Sequence, residues 1–439
     1  MNVVVLALRA CPVSALGPYG NEAVGTPHLD RLAAEGVVFD RHIAAHPNGS
    51  NPSPQPPPRS GEGEPNLFSS SPLPFGEGPG EGLPFDLLPL LTSRGVRTVL
   101  IRHTREENDT PAAGWDEVLP ARPDPADRAP ADALLRLLPA LFDRLAAVPA
   151  WLVWIEIDTL LPPWDVPQEV FEAYVEDLIA DEEELSETEE DEDTDDEADG
   201  EDETEEEETE DEEVEEEIAP PEPAEPVLPW RDPPTGWFDT ADLASWELLH
   251  RSYAAAVTSF DADLGRIFEV FRARKLDETA AWVFTADRGY PLGEHGIVGL
   301  HRPWLYDELV HLPLIVRLPH AAEEGRRVDA LTQPADLTAT LAGWFGADGV
   351  GLQPLISGDV ESLRAFAVST LTLGPATEWA IRTPDWTLLL PVTQHPDDDP
   401  RPPLLFAKPD DVWEVFDVRS QFPEVAEELE AKLRAAVSS

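Results

Sequence analysis

The sequence predicts an α/β protein: a three-layer sandwich with a mostly parallel central sheet covered by helices on both faces, followed by a small C-terminal antiparallel sheet with one helix. Three observations carry this. Short apolar runs of the kind that form strands buried on both faces recur from the start of the chain to about residue 316. Amphipathic helical segments separate them. The last hundred residues then change to short, partly alternating strands. With 439 residues, the chain also exceeds what one hydrophobic core usually fills.

Each element has its own signal. Val3-Val4-Val5-Leu6-Ala7-Leu8 opens the chain as a buried strand. Thr26 as N-cap, with Pro27 at the first helical position, starts a helix that Gly36 closes. Thr98 to Ile101 and Trp151 to Ile157 are further buried strands, with a helix from Pro130 to Val148 between them. The longest helix is expected from about Ala241 to Arg274, where Leu249, Tyr253, Val257, Phe260, Leu264, Ile267 and Phe271 recur at three- and four-residue spacing. Ala281 to Thr285 and Pro313 to Val316 are the next strands. In the last part, Ala365 to Ser369, Trp379 to Arg382 and Trp386 to Leu390 form the antiparallel sheet, and Pro423 to Val437 the closing helix.

Two tracts fall outside this pattern. From Pro47 to Pro84, 11 Pro and 7 Gly fill 18 of 38 positions, which disfavours both helix and sheet. Between Asp181 and Glu217, 28 of 37 residues are acidic and none is basic, so half of the net charge of −58 sits there and the other 402 residues carry −30. Such a segment self-repels and has almost nothing to pack. These features divide the chain into an α/β domain of residues 1–46 and 85–355, disordered insertions at 47–84 and 181–226, and a C-terminal α+β subdomain of residues 356–439.

The acidic balance excludes nucleic acid as a partner, because phosphate binding needs a basic face. The acidic tract reads either as a solvated loop or as a long-range attractor for a basic protein. The single Cys11 excludes an intramolecular disulfide framework and a thiolate metal cluster. No apolar run is long enough to span a bilayer, so no membrane partner is expected. The Met1 end lacks a basic n-region and its apolar run ends at Arg9, so it reads as a strand and a cytoplasmic location is expected.

Specific segments add a resemblance. Asn2 to Leu6, Leu16-Gly17-Pro18-Tyr19-Gly20-Asn21 and Thr26-Pro27-His28-Leu29-Asp30-Arg31-Leu32 through Phe39 closely resemble the start of the sulfatase family within the alkaline-phosphatase superfamily. Ala281 through Asp287-Arg288-Gly289, Gly293-Glu294-His295-Gly296, Leu305 to Glu308 and Pro313 to Arg317 follow the order and spacing of that family, as do Gly325 to Leu331 and Val412 to Asp417. The resemblance implies an alkaline-phosphatase-like fold and descent from a sulfuric ester hydrolase. It also implies a divalent cation such as calcium, held by carboxylates and an Asn or His beside a nucleophile derived from Cys or Ser in a Cys-x-Pro-x-Arg motif.

The residues at those positions differ. The Asp pair ending the first strand falls on Arg9 and Ala10, and the nucleophile falls near Gly49, where Asn48 to Ser53 contains no Cys. Cys11 lies in the wrong element to replace it. Asp287 remains as a remnant metal ligand, but Arg288 follows it, and the sulfate-binding Lys aligns with Leu300, beside His301. With two guanidiniums near the cation position, no cofactor is expected. Arg9 and Arg288 are candidate anion-binding residues, and Asp287 has an alternative as the ion pair that closes the old site. Ser50, His295 and His301 are candidate catalytic residues. Their structural alternatives are a turn Ser, a His bonded to a loop carbonyl and a solvated loop His; His103 has the same solvated reading. The expectation is a catalytically inactive pseudo-sulfatase, a binding or regulatory module that recognises sulfate or phosphate on a small molecule or glycan. The alternative is an active sulfuric- or phosphoric-ester hydrolase with a rebuilt site.

Overall fold

The computed structural model describes residues 1–47, 87–104, 114–122, 124, 127–175, 227–349, 351–395 and 400–438. Ser50, the acidic insertion 181–226 and, apart from Pro47, the insertion 47–84 lie outside the described residues. The strands of the first part are β1 (Asn2–Leu8), β2 (Val37–Ile43), β3 (Arg97–His103), β4 (Glu117–Pro120), β5 (Trp151–Ile157), β6 (Gly236–Trp237), β7 (Ala280–Ala286), β8 (Ile297–Val298), β9 (His311–Leu312), β10 (Leu314–Arg317) and β11 (Arg326–Thr332). The central sheet has the order β11-β2-β10-β7-β1-β5-β3-β4, with β9 paired to β2. From β7 to β4 every pairing is parallel, whereas β10 runs against both β7 and β2.

The alternation of β1 sets up the three layers. Val4, Leu6 and Leu8 point into a core shared with the helices Pro27–Ala34, Asp132–Leu145 and Leu243–Ala273. Val3, Val5 and Ala7 point into a second core with Leu87–Ser93, Pro334–Trp344 and Gln353–Ser357. A strand buried on both faces needs no polar side, which is why β1 reads as a continuous apolar run. The long helix carries the expected stripe: Leu249, Tyr253, Val257, Phe260, Leu264, Ile267 and Phe271 are all buried, and the Asp242 side chain accepts from the Ser245 amide at its start.

Thr26 and Gly36 flank the helix Pro27–Ala34 as expected, but each does so in its own way. Thr26 makes no side-chain cap; its hydroxyl accepts from the Gly17 amide, and the open amides of His28 and Leu29 donate instead to the Asp261 carboxylate on the long helix, at 2.9 and 2.8 Å. Gly36 does not end its helix through a left-handed conformation. A Cβ there would lie 2.9 Å from the Val316 carbonyl oxygen, so glycine is needed for the close approach of β10.

The last part forms a four-stranded antiparallel sheet, β12 (Ala367–Leu373), β13 (Ala376–Arg382), β14 (Trp386–Thr393) and β15 (Leu404–Ala407). One face, with Ala380, Leu389 and Phe406, packs on Leu305, Tyr306 and Leu309 of the first part. The other, with Ile381, Leu388 and Leu405, is covered by Leu429 and Leu433 of the closing helix Pro423–Ser438.

Candidate functional site

Parallel sheets present the carboxyl ends of their strands on one edge, where ligands of open α/β folds collect. Here β5, β1 and β7 are neighbours, and their ends are locked in step. The Arg9 amide donates to the Ile157 carbonyl, the Asp287 amide to the Leu8 carbonyl and the Cys11 amide to the Arg288 carbonyl, at 2.8, 2.8 and 2.9 Å. These bonds bring Arg9, Asp287 and Arg288 to one place, with Arg9 Nε 3.8 Å from Asp287 Oδ2. Gly289 lets the chain leave this corner. Its amide donates to the Leu309 carbonyl, and a Cβ would sit 1.9 Å from the Glu308 carbonyl oxygen.

The electrostatics follow from burial. Desolvation pushes the Asp287 carboxyl up to about 7; Arg9 opposes this, Glu156 adds to it and Arg288 opposes it again. Burial likewise draws Arg288 down, countered by Asp287. The Nε atoms of Arg9 and Arg288 are both buried and make no hydrogen bond within the described structure. One step away, Ala7, Glu156 and Arg102 are in register across β1, β5 and β3, and Arg102 Nε lies 3.3 Å from Glu156 Oε2. In the sequence Glu156 stands out as a charged residue inside an apolar run, but its pairing with Arg102 depends on the register between β3 and β5.

A divalent cation does not fit the donor set at this corner. The ends of β1 and β7 offer one carboxylate and two guanidiniums, whereas calcium takes about six to eight oxygens. Among the described residues no group of three or more His, Cys, Asp or Glu side chains is arranged to hold a metal ion. Cys11 is fully buried and its thiol pKa is driven upward by desolvation, which leaves it protonated and unreactive. A small recess adjoins the corner, with Asp287, Thr285, His42, Trp154 and Leu337 in its wall.

The histidines belong elsewhere. His295 stacks on Tyr306 at 3.8 Å between centroids, with Nδ1 2.7 Å from Glu308 Oε1 and Nε2 3.3 Å from the Glu414 carbonyl oxygen. Burial opposes its charge, but Glu308 and Glu414 outweigh that and raise its pKa. His301 is exposed and makes an edge contact with Trp237. His103 is buried rather than solvated, and its Nε2 lies 2.6 Å from the Pro130 carbonyl oxygen. Tyr19, from the Leu16 to Asn21 segment, is structural: its hydroxyl accepts from the Leu314 amide and donates to the Leu314 carbonyl.

Fold and strand-end site together define a three-layer α/β protein of the kind that houses ester hydrolases. A Sulfatase family model matches residues 185–347. An N-acetylglucosamine-6-O-sulfatase of Bacteroides thetaiotaomicron is 30% identical over 126 residues, 27% of this chain and 22% of that protein. Human iduronate 2-sulfatase is 29% identical over 140 residues, 26% of this chain and 25% of the relative. The chain thus spans about a quarter of the length of the curated relatives it matches. In overall shape it is similar to a protein solved with its substrate D-glucosamine-2-N,6-O-disulfate (TM-score 0.61, 15% identity, covering 99% of this chain and 97% of the other). It is also similar to the phosphonate monoester hydrolase of Agrobacterium radiobacter (TM-score 0.64, 17% identity, covering 100% and 95%). The Sulfatase family match over part of the chain, the sulfatase relatives and the shared fold support membership of the sulfatase / alkaline-phosphatase-like superfamily. No helix among the described residues is long and apolar enough to cross a membrane.

Proposed function

We propose that this chain is a catalytically inactive sulfatase-fold protein that recognises a sulfate or phosphate group at Arg9 and Arg288 without cleaving its ester. The observation that carries the reading is the pair of buried, hydrogen-bond-free Nε donors beside Asp287, at the corner where the resemblance places a dication. Guanidinium groups bind sulfate and phosphate through charge-assisted hydrogen bonds. The relatives named sulfatases, and the neighbour solved with a disulfated glucosamine, favour a sulfated small molecule or glycan as the ligand.

Calorimetric titration of the full chain with sodium sulfate and sodium phosphate tests this. Binding in the parent protein that falls at least tenfold in Arg9→Ala and Arg288→Ala supports it; unchanged affinity in both variants overturns it. A second reading, hydrolysis at a rebuilt site, draws on the Asp287 carboxyl, which titrates near neutrality, where a general acid or base works best. Turnover across a panel of aryl sulfate and phosphate esters, abolished by Asp287→Ala, would establish that reading in place of the first.

A further inference from the structure

Between β15 and the closing helix, four of five successive residues put large apolar side chains into solvent. Val412, Trp413, Val415 and Phe416 are 57, 62, 62 and 72% exposed, whereas Glu414 in their midst is 1% exposed. The loop is tied down from inside. Glu414 accepts from the Asp307 amide at 3.0 Å, and Arg382 and Lys408 lie 3.3 and 3.4 Å from its carboxylate. Lys408 also donates to the Val412 carbonyl at 3.0 Å, and the Asp411 carboxylate accepts from the amides of Val415 and Phe416 at 3.0 and 2.9 Å. Glu414 holds a φ of 55°, in the left-handed region that a residue with a Cβ occupies only when its surroundings impose it. With Glu414 turned inward, its neighbours on both sides are left facing water.

Aromatic and branched side chains that a fixed backbone holds in water mark a protein interface, since covering them is favourable and the loop needs no further ordering to be covered. Charge selects what covers them. From Asp410 to Glu430 there are eight acidic residues and a single basic one, Arg419, and Asp410, Asp417, Glu424, Glu427 and Glu428 are exposed. A second copy of the chain would bring the same excess, −30 even without the Asp181 to Glu217 segment, and would be repelled, as would an anionic membrane. A segment that carries Lys and Arg beside an apolar stripe matches both the side chains and the charge.

We infer that Val412, Trp413, Val415 and Phe416 dock a basic amphipathic helix of another protein. The apolar stripe of that helix covers the four side chains, and its cations face the acidic residues around them. The Arg9 and Arg288 corner takes no part, so this interaction goes beyond the proposed function and stands apart from it.

The test titrates the full chain, at physiological salt, with three fluorescently labelled peptides read by anisotropy. One is a Leu/Lys peptide whose leucines fall on one helical face, one a scrambled peptide of the same composition, and one a Leu/Gln peptide with the same stripe and no charge. The striped Leu/Lys peptide should bind at least tenfold tighter than either control, and the double variant Trp413→Ser with Phe416→Ser should lower its affinity to that of the scrambled peptide. The scrambled peptide measures the general attraction of an acidic chain, and it should bind parent and variant alike. Equal binding of the striped and scrambled Leu/Lys peptides, or a striped peptide that binds the double variant undiminished, overturns the inference. So does a Leu/Gln peptide that binds as tightly as the Leu/Lys one, because the partner is then not selected by charge. Sedimentation of the parent as a dimer that the double variant separates into monomers would also overturn it, by placing a second copy on the loop. Because both side chains are mostly exposed, the double variant should keep the parent's melting temperature, which is measured alongside.

Discussion

The protonation of Asp287 should control anion affinity. Its carboxyl is pushed up to about 7 by burial against the pull of Arg9, so it is mostly neutral at pH 6 and mostly ionised at pH 8. Taking about 5 Å between that carboxyl and a sulfate held by Arg9 and Arg288, each unit of sulfate charge interacts with the carboxylate by about 3 kcal/mol at an effective dielectric near 20. The Arg9 and Asp287 side chains retain 30% and 18% exposure. Solvent screening therefore reduces the penalty to about 1.5 kcal/mol, roughly tenfold in affinity. Sulfate affinity measured by calorimetry should fall about tenfold from pH 6 to pH 8 and level off on either side. Sulfate is the clean probe, since phosphate esters themselves titrate near pH 6. In Asp287→Asn the affinity should hold at its low-pH value throughout. A flat profile in the parent protein, or an unchanged slope in Asp287→Asn, would refute the reasoning.

Further outcomes follow from the same structure. His295 faces an acceptor on each ring nitrogen, Glu308 and the Glu414 carbonyl, so both contacts are hydrogen bonds only when the ring is protonated. With its pKa raised, this contribution is fully present below the ordinary value near 6.5 and is lost as pH rises through the folded-state pKa. His295→Gln should cost roughly 1.5–3 kcal/mol at pH 6 and progressively less above that, read by urea denaturation across pH. Gly289→Ala should cost roughly 3 kcal/mol, because the new methyl meets the Glu308 backbone and not a movable side chain; an unchanged melting temperature would contradict this. Phe271→Ala, which removes a ring packed edge-on against Phe142 and Trp282, should cost about 3–5 kcal/mol by the same assay. Calcium should leave the melting temperature unmoved, since each guanidinium about 5 Å from a dication repels it by several kcal/mol at a dielectric near 20.

The parts of the fold visible in the sequence are those whose burial leaves a period. β5 is bounded to the residue because Trp151 to Ile157 is apolar between turns, apart from Glu156, and the long helix, expected from about Ala241 to Arg274 and found at Leu243–Ala273, is legible because its stripe persists for seven buried positions. β11 went unread: as the sheet's last strand it keeps Arg326, Arg327 and Asp329 facing outward, and only Val328 and the residues from Ala330 to Thr332 turn inward. β6 and β8 have two residues each and leave no period at all. At the site, the meeting of Arg9 with Asp287 was foreseeable because both follow neighbouring buried strands. The Arg102–Glu156 pair was not, since it depends on the register between β3 and β5, which no local pattern encodes.

What the corner retains is the sign of its charge. In the arrangement implied by the family, carboxylates gather a dication and the dication faces the ester anion. On the reading proposed here, Arg9 and Arg288 face that anion directly, and Asp287 is the one carboxylate left over. The exchange keeps attraction and gives up activation, because a guanidinium donates hydrogen bonds along fixed directions but has no open coordination position through which to lower the pKa of a nucleophile. It also moves control from metal supply to protons. With Asp287 poised near 7, a small fall in pH removes an opposing charge, so on the proposed function the substitutions at Arg9 and Arg288 give a binding site whose strength follows acidity.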